Sequence, residues 1–417
     1  MEDRLPFIFQ ARISIDNSID INPLRKDDVH FSLQQGDCLP ILQKISSESI
    51  HLIYLDPPFL TQKQHRLWDQ SRKKEFVFDD RWISQNAYID FLYRRLQEMH
   101  RILSPDGSLF FHCNKTTSHL ARILLNQVFG EKFFRSEIIW YYRRWSNSER
   151  ALLPAHQTIY YYTKSKDYIF NLQYKEYSLA TNVDQILQKR ERDRYGKTRY
   201  KRDSSGEIIS NGAKKGVPLR DVWDIPYLNP RAKERTGYPT QKPIRLLKQI
   251  IELSTHPHHR VLDPFCGSGT TLVAAKLLNR YAMGIDISED AILLTEKRLQ
   301  DPQETDSALL QTGRENYRQT KNMILSLFQG LEIVPVQRNQ GIDAFLCENS
   351  KEAPIPIRVQ RSKEKLSEAV DKLFRATRNK KIQRMFLIAY TEENISLPPG
   401  MVLIPSPVLA IRKQFIT

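Results

Sequence analysis

Short apolar-rich runs and segments of helical period alternate along residues 31–300. Runs at 31–34, 50–55, 108–113, 137–142, 158–162, 261–263 and 281–286 have the length and content of strands. Between them, 38–45, 90–103, 117–129, 243–254, 271–280 and 289–299 have the character of helices; in the second, Phe91, Leu92, Leu96 and Met99 share one face. Pro105-Asp106-Gly107 marks a turn. Strand and helix alternating over short connections predict a doubly wound α/β fold, a parallel sheet covered on both faces. A polar stretch at about 301–317 precedes a second, smaller α/β unit over 318–417, with strands at 341–346, 355–360 and 384–390 and a helix at 365–377.

Composition narrows the class. With 417 residues, 27% charged and 40% hydrophobic, the chain reads as an ordinary soluble globular protein of two or three domains. No apolar run approaches the roughly 18 residues that a membrane-spanning helix needs. The first residues lack the basic-then-apolar pattern of a secretory signal. Cys38, Cys113, Cys266 and Cys347 are scattered without Cys-x-x-Cys spacing, which indicates neither a disulfide framework nor a zinc site. Together these features point to a cytoplasmic protein.

Charge adds a partner. Sixty-three Lys and Arg against 48 Asp and Glu give a net +15, which favours a polyanion. Placement says more than the total: residues 143–242 hold 21 basic and 11 acidic residues, a net +10, so a quarter of the chain carries two thirds of the excess. Within it Lys189, Arg190, Arg192, Arg194, Lys197, Arg199, Lys201 and Arg202 interleave with Tyr195 and Tyr200. Taken alone, this run suits a solvated helix leading into a loop as well as a groove contacting phosphates.

Two loops carry the chemistry. In Val261-Leu262-Asp263-Pro264-Phe265-Cys266-Gly267-Ser268-Gly269-Thr270-Thr271 a strand enters a glycine turn and then a helix. Asp263 falls at the carboxyl end of that strand, where open α/β sheets bind ligands, and the glycines let backbone approach a cofactor closely. Asp286 ends the next strand, the position of an acid that binds ribose hydroxyls. The lysine of a phosphate-binding loop is absent and the spacing is not Gly-x-Gly-x-x-Gly, which suits a nucleoside without phosphates. In the second loop Asp56-Pro57-Pro58-Phe59 follows a strand. An exocyclic amine is a poor nucleophile because its lone pair is delocalised into the ring. A carboxylate and a backbone carbonyl, that of Pro57, each accepting one N–H would free that lone pair. The prolines stiffen the loop, and Phe59 can stack on the base, which must leave the helix to reach it.

These residues resemble motifs IV and I of the S-adenosylmethionine-dependent DNA amino-methyltransferases, in an order that looks like the β class. Tyr238-Pro239-Thr240-Gln241-Lys242-Pro243 is similar to motif X, which caps the methionine end of the cofactor. Gly36-Asp37 resembles motif III, whose acid faces the cofactor adenine. Residues 135–140 resemble motif VIII, with Ser136 where such enzymes often carry Asn. The resemblance covers roughly residues 30–300. It implies a circularly permuted, Rossmann-like sheet: an extension at 1–30, a catalytic half at 31–142, a target-recognition region at 143–235 and a cofactor half at 236–300. Asp56, Pro57, Pro58 and Phe59 would be catalytic. Asp37, Asp263, Phe265, Gly267, Gly269, Thr270, Asp286, Gln241, Lys242 and Pro243 would hold S-adenosylmethionine, the eight basic residues of 189–202 would hold double-stranded DNA, and no metal is required. Asp-Pro-Pro with an aromatic resembles adenine-N6 enzymes, whereas cytosine-N4 enzymes more often begin with Ser. Adenine is favoured, and cytosine N4 is the alternative by the same mechanism. A cognate restriction endonuclease is a candidate partner, and monomer and dimer both remain open.

The last hundred residues pose a separate question. Gly341-Ile342-Asp343 and then Val359-Gln360 are similar to the acid and Gln-x-Lys pattern of restriction-type nuclease domains, but Ser362 stands at the lysine position. Lys363 is adjacent, and on a strand its side chain would face the opposite side. The expectation over 318–417 is an inactive nuclease-like accessory domain. Two competing readings of the whole chain are a combined restriction and modification enzyme and a catalytically silent DNA-binding protein. An RNA substrate fits less well than duplex DNA.

Overall fold

The computed structural model describes residues 13–14, 31–68, 75–142, 150, 152–175, 177, 187–212, 216–230, 232–305, 322, 324–336, 339, 341–347, 354–361, 364–378 and 382–416. Most of the 1–30 extension, the start of the recognition region at 143–149, the later part of the polar stretch, Ser362 and Lys363 lie outside the described residues. The chain divides into two compact units, Met1–Gly313 and Arg314–Thr417.

In the first unit, strands β1 (Phe31–Gln35), β2 (Ile50–Leu55), β3 (Lys63–Trp68), β4 (Glu75–Asp80), β5 (Leu103–Cys113), β6 (Phe134–Tyr141), β7 (His156–Thr163), β8 (Arg190–Arg192), β9 (Thr198–Tyr200), β10 (Val222–Asp224), β11 (Arg260–Asp263) and β12 (Tyr281–Asp286) accompany α-helices. These are α1 (Cys38–Lys44), α2 (Gln85–Ile102), α3 (Ser118–Phe129), α4 (Ile244–Ser254), α5 (Thr270–Leu277) and α6 (Glu289–Gln300). The main sheet runs Ile13–Ser14, β1, β12, β11, β2, β5, β7, β6, β10. Pairing is parallel as far as β5, and β7 then runs antiparallel to both β5 and β6. The purely parallel sheet of the sequence reading is corrected at this strand. No helix separates β6 from β7 among the described residues, and a connection without a crossover returns the chain antiparallel.

Both faces of the sheet are buried, which is why its central strands read as unbroken apolar runs. Leu52, Tyr54, Phe110 and Val261 join residues of α4, α5 and α6 in one core. Ile53, Leu55, Leu109, Phe111 and Leu262 join α1, α2 and α3 in the other. The alternation is the period of two that a strand imposes. The sheet is a doubly wound, Rossmann-like α/β core.

One strand contact positions everything that follows. β11 lies parallel to β2, with Val261 opposite Leu52 and Leu262 opposite Ile53. The loops that leave Asp56 and Asp263 therefore emerge side by side at the carboxyl ends of adjacent strands.

Three local features differ from the sequence reading. α2 starts at Gln85, ahead of the apolar stripe, because Ser84 Oγ accepts a hydrogen bond from the N–H of Ala87 (3.1 Å) and caps it. β3 and β4 form an antiparallel hairpin directly after the Asp56 loop. The basic run is no helix: β8 and β9 pair antiparallel, with Arg190 opposite Tyr200 and Arg192 opposite Thr198. Their turn is closed by Asp193 Oδ1, which accepts from the N–H groups of Tyr195 and Lys197 (2.9 Å each), with Gly196 at φ +77°.

The second unit is a five-stranded sheet in the order Ile333–Pro335, Ala344–Leu346, Ile355–Val359, Met385–Ala389, Met401–Pro405. Its first two contacts are antiparallel and its last two parallel. Helix Leu366–Thr377 packs Leu366, Ala369, Val370 and Leu373 against Met385, Leu387 and Ala389. Both edge strands and the final helix Pro407–Ile416 were absent from the sequence reading. Asp343 is almost buried, and its carboxylate accepts from Arg361 Nη1 (3.0 Å) and Nη2 (2.6 Å) and from the N–H of Val359 (2.8 Å). Gln360 Oε1 accepts from the N–H groups of Tyr390 and Thr391, and its Nε2 donates to the Glu364 carbonyl and Thr391 Oγ1. Both residues of the nuclease-like pattern are thus engaged in bonds within their own unit. No helix among the described residues is long and apolar enough to cross a membrane.

Candidate active site

The carboxyl edge of the sheet opens into a cleft of about 910 Å³. Asp37, Asp56, Pro57, Pro58, Phe59, Lys242, Asp263, Phe265, Gly267, Thr270 and Asp286 all line it. Residues from the two ends of the core, expected to act together, are brought into one cavity by the β2–β11 contact.

At the glycine loop, Gly267 donates its N–H to Asp286 Oδ2 (2.8 Å) and Ser288 donates its own to Oδ1 (2.9 Å). Burial raises the Asp286 pKa, and these two N–H bonds oppose the shift. Gly267 has φ +50°, and a Cβ there would meet the Tyr238 ring at 3.0 Å. A side chain at this position would crowd the approach to the loop, so the cradle fits a ligand that touches backbone. Asp263 accepts from Thr271 Oγ1 (2.5 Å) and from the N–H of Phe265 (3.1 Å). Its pKa is pushed up to about 7, chiefly by burial. Asp37 caps α1 through the N–H of Leu39 (2.9 Å) and pairs with Arg95 Nη2 (2.5 Å).

Three residues expected in the cofactor set do not line the cleft. Gln241 is buried in its own loop: its Oε1 accepts from the N–H (2.8 Å) and Oγ1 (2.9 Å) of Thr236, and its Nε2 donates to the Glu234 carbonyl (2.6 Å). Pro243 precedes the first turn of α4 as its cap. Gly269, at φ +73°, caps α5, and a Cβ there would overlap the Thr295 side chain. Its glycine is required by helix packing.

At the second loop, the Asp56 side chain is mostly buried, 14% exposed, and lies against Lys242. Lys242 Nζ donates to Asp56 Oδ2 and to the Thr240 carbonyl (3.3 Å). Asp56 Oδ1 is buried and accepts no hydrogen bond from any described residue. Burial raises the Asp56 pKa, and the Lys242 ammonium opposes that. His112 Nδ1 comes within 3.9 Å of Oδ1 without forming an ion pair. Its Nε2 bonds Gln157 Oε1 (2.9 Å) and its Nδ1 bonds Tyr54 Oη (2.7 Å). An amide oxygen only accepts, so this network assigns the proton to Nε2 and leaves Nδ1 accepting from Tyr54. Burial, the largest cause, and Lys242 hold its pKa well below the usual histidine value.

Three residues that sequence reasoning missed set the shape of this site. Asp80, 1% exposed, accepts from the N–H groups of Phe59 (3.2 Å), Leu60 (3.0 Å) and Thr61 (2.8 Å), from Thr61 Oγ1 (2.6 Å) and from Trp82 Nε1 (3.1 Å). Tyr88 Oη donates to the Pro58 carbonyl (2.8 Å). Arg95 is buried on the apolar face of α2 and secures Asp37. A lone arginine between Leu92, Leu96 and Met99 was a readable signal, because a charge inside an apolar stripe needs a partner.

The DNA methylase family model matches residues 50–297. The chain belongs to the DNA methylase family. It is an S-adenosylmethionine-dependent DNA methyltransferase. Among curated relatives, type II methyltransferase M.HpaI of Haemophilus parainfluenzae is 30% identical over 266 residues, 63% of this chain and 72% of its own length. Type II methyltransferase M.BglII of Bacillus subtilis is 29% identical over 268 residues, 62% of this chain and 66% of its own. DNA adenine methyltransferase YhdJ of Escherichia coli (strain K12) is 28% identical over 288 residues, 66% of this chain and 85% of its own. The solved PvuII DNA methyltransferase (cytosine-N4-specific) superposes with a TM-score of 0.44 at 18% identity, covering 71% of this chain and 93% of that one.

Proposed function

We propose that this methyltransferase acts site-specifically on double-stranded DNA and methylates N6 of an adenine flipped into the cleft. The observation that carries the reading is Asp56 Oδ1, a buried acceptor without a donor at the carboxyl end of β2, beside the glycine loop at the end of β11. An amine N–H is a donor that such an atom lacks. Asp37, Asp263, Phe265, Gly267, Thr270 and Asp286 would hold S-adenosylmethionine, which supplies an electrophilic methyl group. Asp56 accepts one amine N–H at Oδ1 and the Pro57 carbonyl accepts the other. The nitrogen lone pair would then be free to bond the methyl carbon as the carbon–sulfur bond breaks and the sulfonium leaves as a neutral thioether, and the surplus proton would pass from nitrogen to solvent. Phe59 stacks on the base, and the buried cleft wall excludes water.

Digestion of methylated DNA to nucleosides followed by mass spectrometry tests the target. N6-methyladenine is expected. N4-methylcytosine would keep the chemistry and overturn the base. Neither product, with cofactor shown to bind, would favour the silent DNA binder.

The domain roles belong to the same proposal: a catalytic half at 31–142, a cofactor half at 236–300, a target-recognition region at 143–235 and an accessory domain at 318–417. The Arg361 pairing of Asp343 supports an accessory role for the last. A cognate restriction endonuclease as partner and a cytoplasmic location complete the reading.

Two expected outcomes arise here. Lys189, Arg190, Arg192, Arg194, Lys197, Arg199, Lys201 and Arg202 are all exposed on or beside the β8–β9 hairpin. Replacing four of them by Gln is expected to weaken DNA binding and to reduce the log–log salt slope by about 0.9 for each phosphate that is no longer neutralised. A slope that does not move would return the hairpin to a solvated surface. Arg95→Met is expected to weaken S-adenosylmethionine binding about tenfold by freeing Asp37. Calorimetric titration showing unchanged affinity would remove Asp37 from the cofactor site.

A further inference from the structure

Lys242 sits in the segment whose resemblance assigns it to the cofactor, yet its ammonium lies on the catalytic carboxylate. Only 5% of the residue is exposed. Its Nζ donates to Asp56 Oδ2 and to the Thr240 carbonyl, and stands 5.7 Å from the Phe59 ring centroid. The loop that carries it is fixed from beneath, because Gln241 ties Glu234 to Thr236 and Glu234 Oε2 accepts from the N–H of Ile244 (2.9 Å) at the start of α4. The lysine therefore enters the site from a braced loop.

The two oxygens of Asp56 are used unequally: Oδ2 is taken and Oδ1 is open. Among the described residues, the other titratable groups near enough to feel this charge are Tyr54, Tyr88, Tyr238, Cys113, His112 and Asp263. The tyrosines and the thiol are neutral, His112 is neutral by its hydrogen bonds, and Asp263, its pKa pushed up to about 7, contributes like charge only as pH rises through neutrality. Lys242 is the cation in this set. A carboxylate with a buried oxygen is held in its ionised form by such a partner.

We propose that Lys242 is a positioning residue for methyl transfer: its ammonium anchors Asp56 Oδ2, keeps the carboxylate charged and leaves Oδ1 to the target amine. This rests on the reading of Asp56 as the acceptor of the amine N–H. Burial raises the Asp56 pKa and Lys242 lowers it, so removing the ammonium raises it further. The reactive form is the ionised one, so the rate falls as pH drops through that pKa, and the fall begins at higher pH without Lys242.

The test compares Lys242→Met, Lys242→Arg and Asp56→Ala in single-turnover transfer across pH, with S-adenosylmethionine affinity measured separately by calorimetry. Lys242→Met is expected to bind cofactor within about threefold of the parent and to transfer at least about 100-fold more slowly at neutral pH. Its acid limb should move up by about one pH unit or more, so that the deficit shrinks in alkali, and Lys242→Arg should recover most of the rate. Cofactor binding also reports that the site has folded; if Lys242→Met fails that check, Lys242→Gln takes its place. A tenfold loss of cofactor affinity with an unmoved acid limb would overturn the proposal and make Lys242 a cofactor contact. An unchanged rate with inactive Asp56→Ala would overturn it too, whereas active Asp56→Ala would bring down the reading of the site itself.

Discussion

Asp56→Ala is expected to lose methyl transfer by about 10³-fold or more while binding S-adenosylmethionine within a few fold of the parent protein. The separation follows from placement. Asp56 directly follows β2, and its carboxylate meets Lys242 and the open side of the cleft. The groups assigned to the cofactor lie on the ends of β11 and β12 and on the loop after β1. Removing the carboxylate deletes the acceptor that frees the amine lone pair and leaves a positive Lys242 facing the base. Asp56→Asn should fall nearly as far, since an amide offers a weaker acceptor and its NH₂ would compete with the target for hydrogen-bond acceptors. Single-turnover assays with saturating cofactor and DNA read the chemical step directly. Transfer by Asp56→Ala within tenfold of the parent would end the assignment of Asp56 as the amine acceptor.

Asp80→Ala is the second large effect, and it acts on stability and rate together. The carboxylate closes the 59–61 loop by accepting three successive backbone N–H groups, and Leu60 and Gln62 sit at φ +54° and +55°. Left-handed backbone at a non-glycine residue persists only where its surroundings hold it. An N–H left without a partner costs about 1–3 kcal/mol when fully buried, and these three lie in a half-buried loop, so a loss of roughly 2–3 kcal/mol of unfolding free energy is expected, read from denaturant midpoints. The freed loop also carries Phe59 and is left tethered only at its ends, by Tyr88 on the Pro58 carbonyl and by the Gln62 N–H on the Asp80 carbonyl, so transfer should fall about 100-fold through misplacement. Asp80→Asn, which keeps an acceptor, should lie between the two. A variant with parental stability and rate would show that the prolines alone fix the loop.

The parts of this site that are legible in sequence are those whose geometry is local. Asp56 and Asp263 end apolar runs, and prolines or glycines stop both strands where the chain must turn, so position and chemistry coincide within a few residues. Gly267 belongs to the same class. The pairing of β7 against β5 and β6 was not legible, because a buried antiparallel strand has the same apolar pattern as a parallel one. Asp80 and the partner of Lys242 depend on contacts between distant segments, which no periodicity announces. Of the two readings of the basic run only the helix is overturned, because a charged surface strand lacks an apolar face to count. Its Asp193-to-Gly196 turn was the better signal, and a second Asp-x-x-Gly turn follows at Asp203, whose Oδ1 accepts from the N–H groups of Ser205 and Glu207. In the second unit the edge strands Ile333–Pro335 and Met401–Pro405 are short, and half-exposed positions such as Val334 and Ile404 blur their alternation.

The register of β11 on β2 also sets a timetable for the growing chain. About 200 residues separate these neighbours in sequence, so at roughly 5–20 residues per second the ribosome takes about 10–40 s to supply the second after the first. Through that interval one edge of β2 has no strand to bond. Its apolar residues and unpaired amides are open to any passing strand, including those of another nascent copy. Production of this chain should depend on holding that edge apart until β11 emerges, and slowing synthesis between the two strands should cost yield more than slowing it after residue 300.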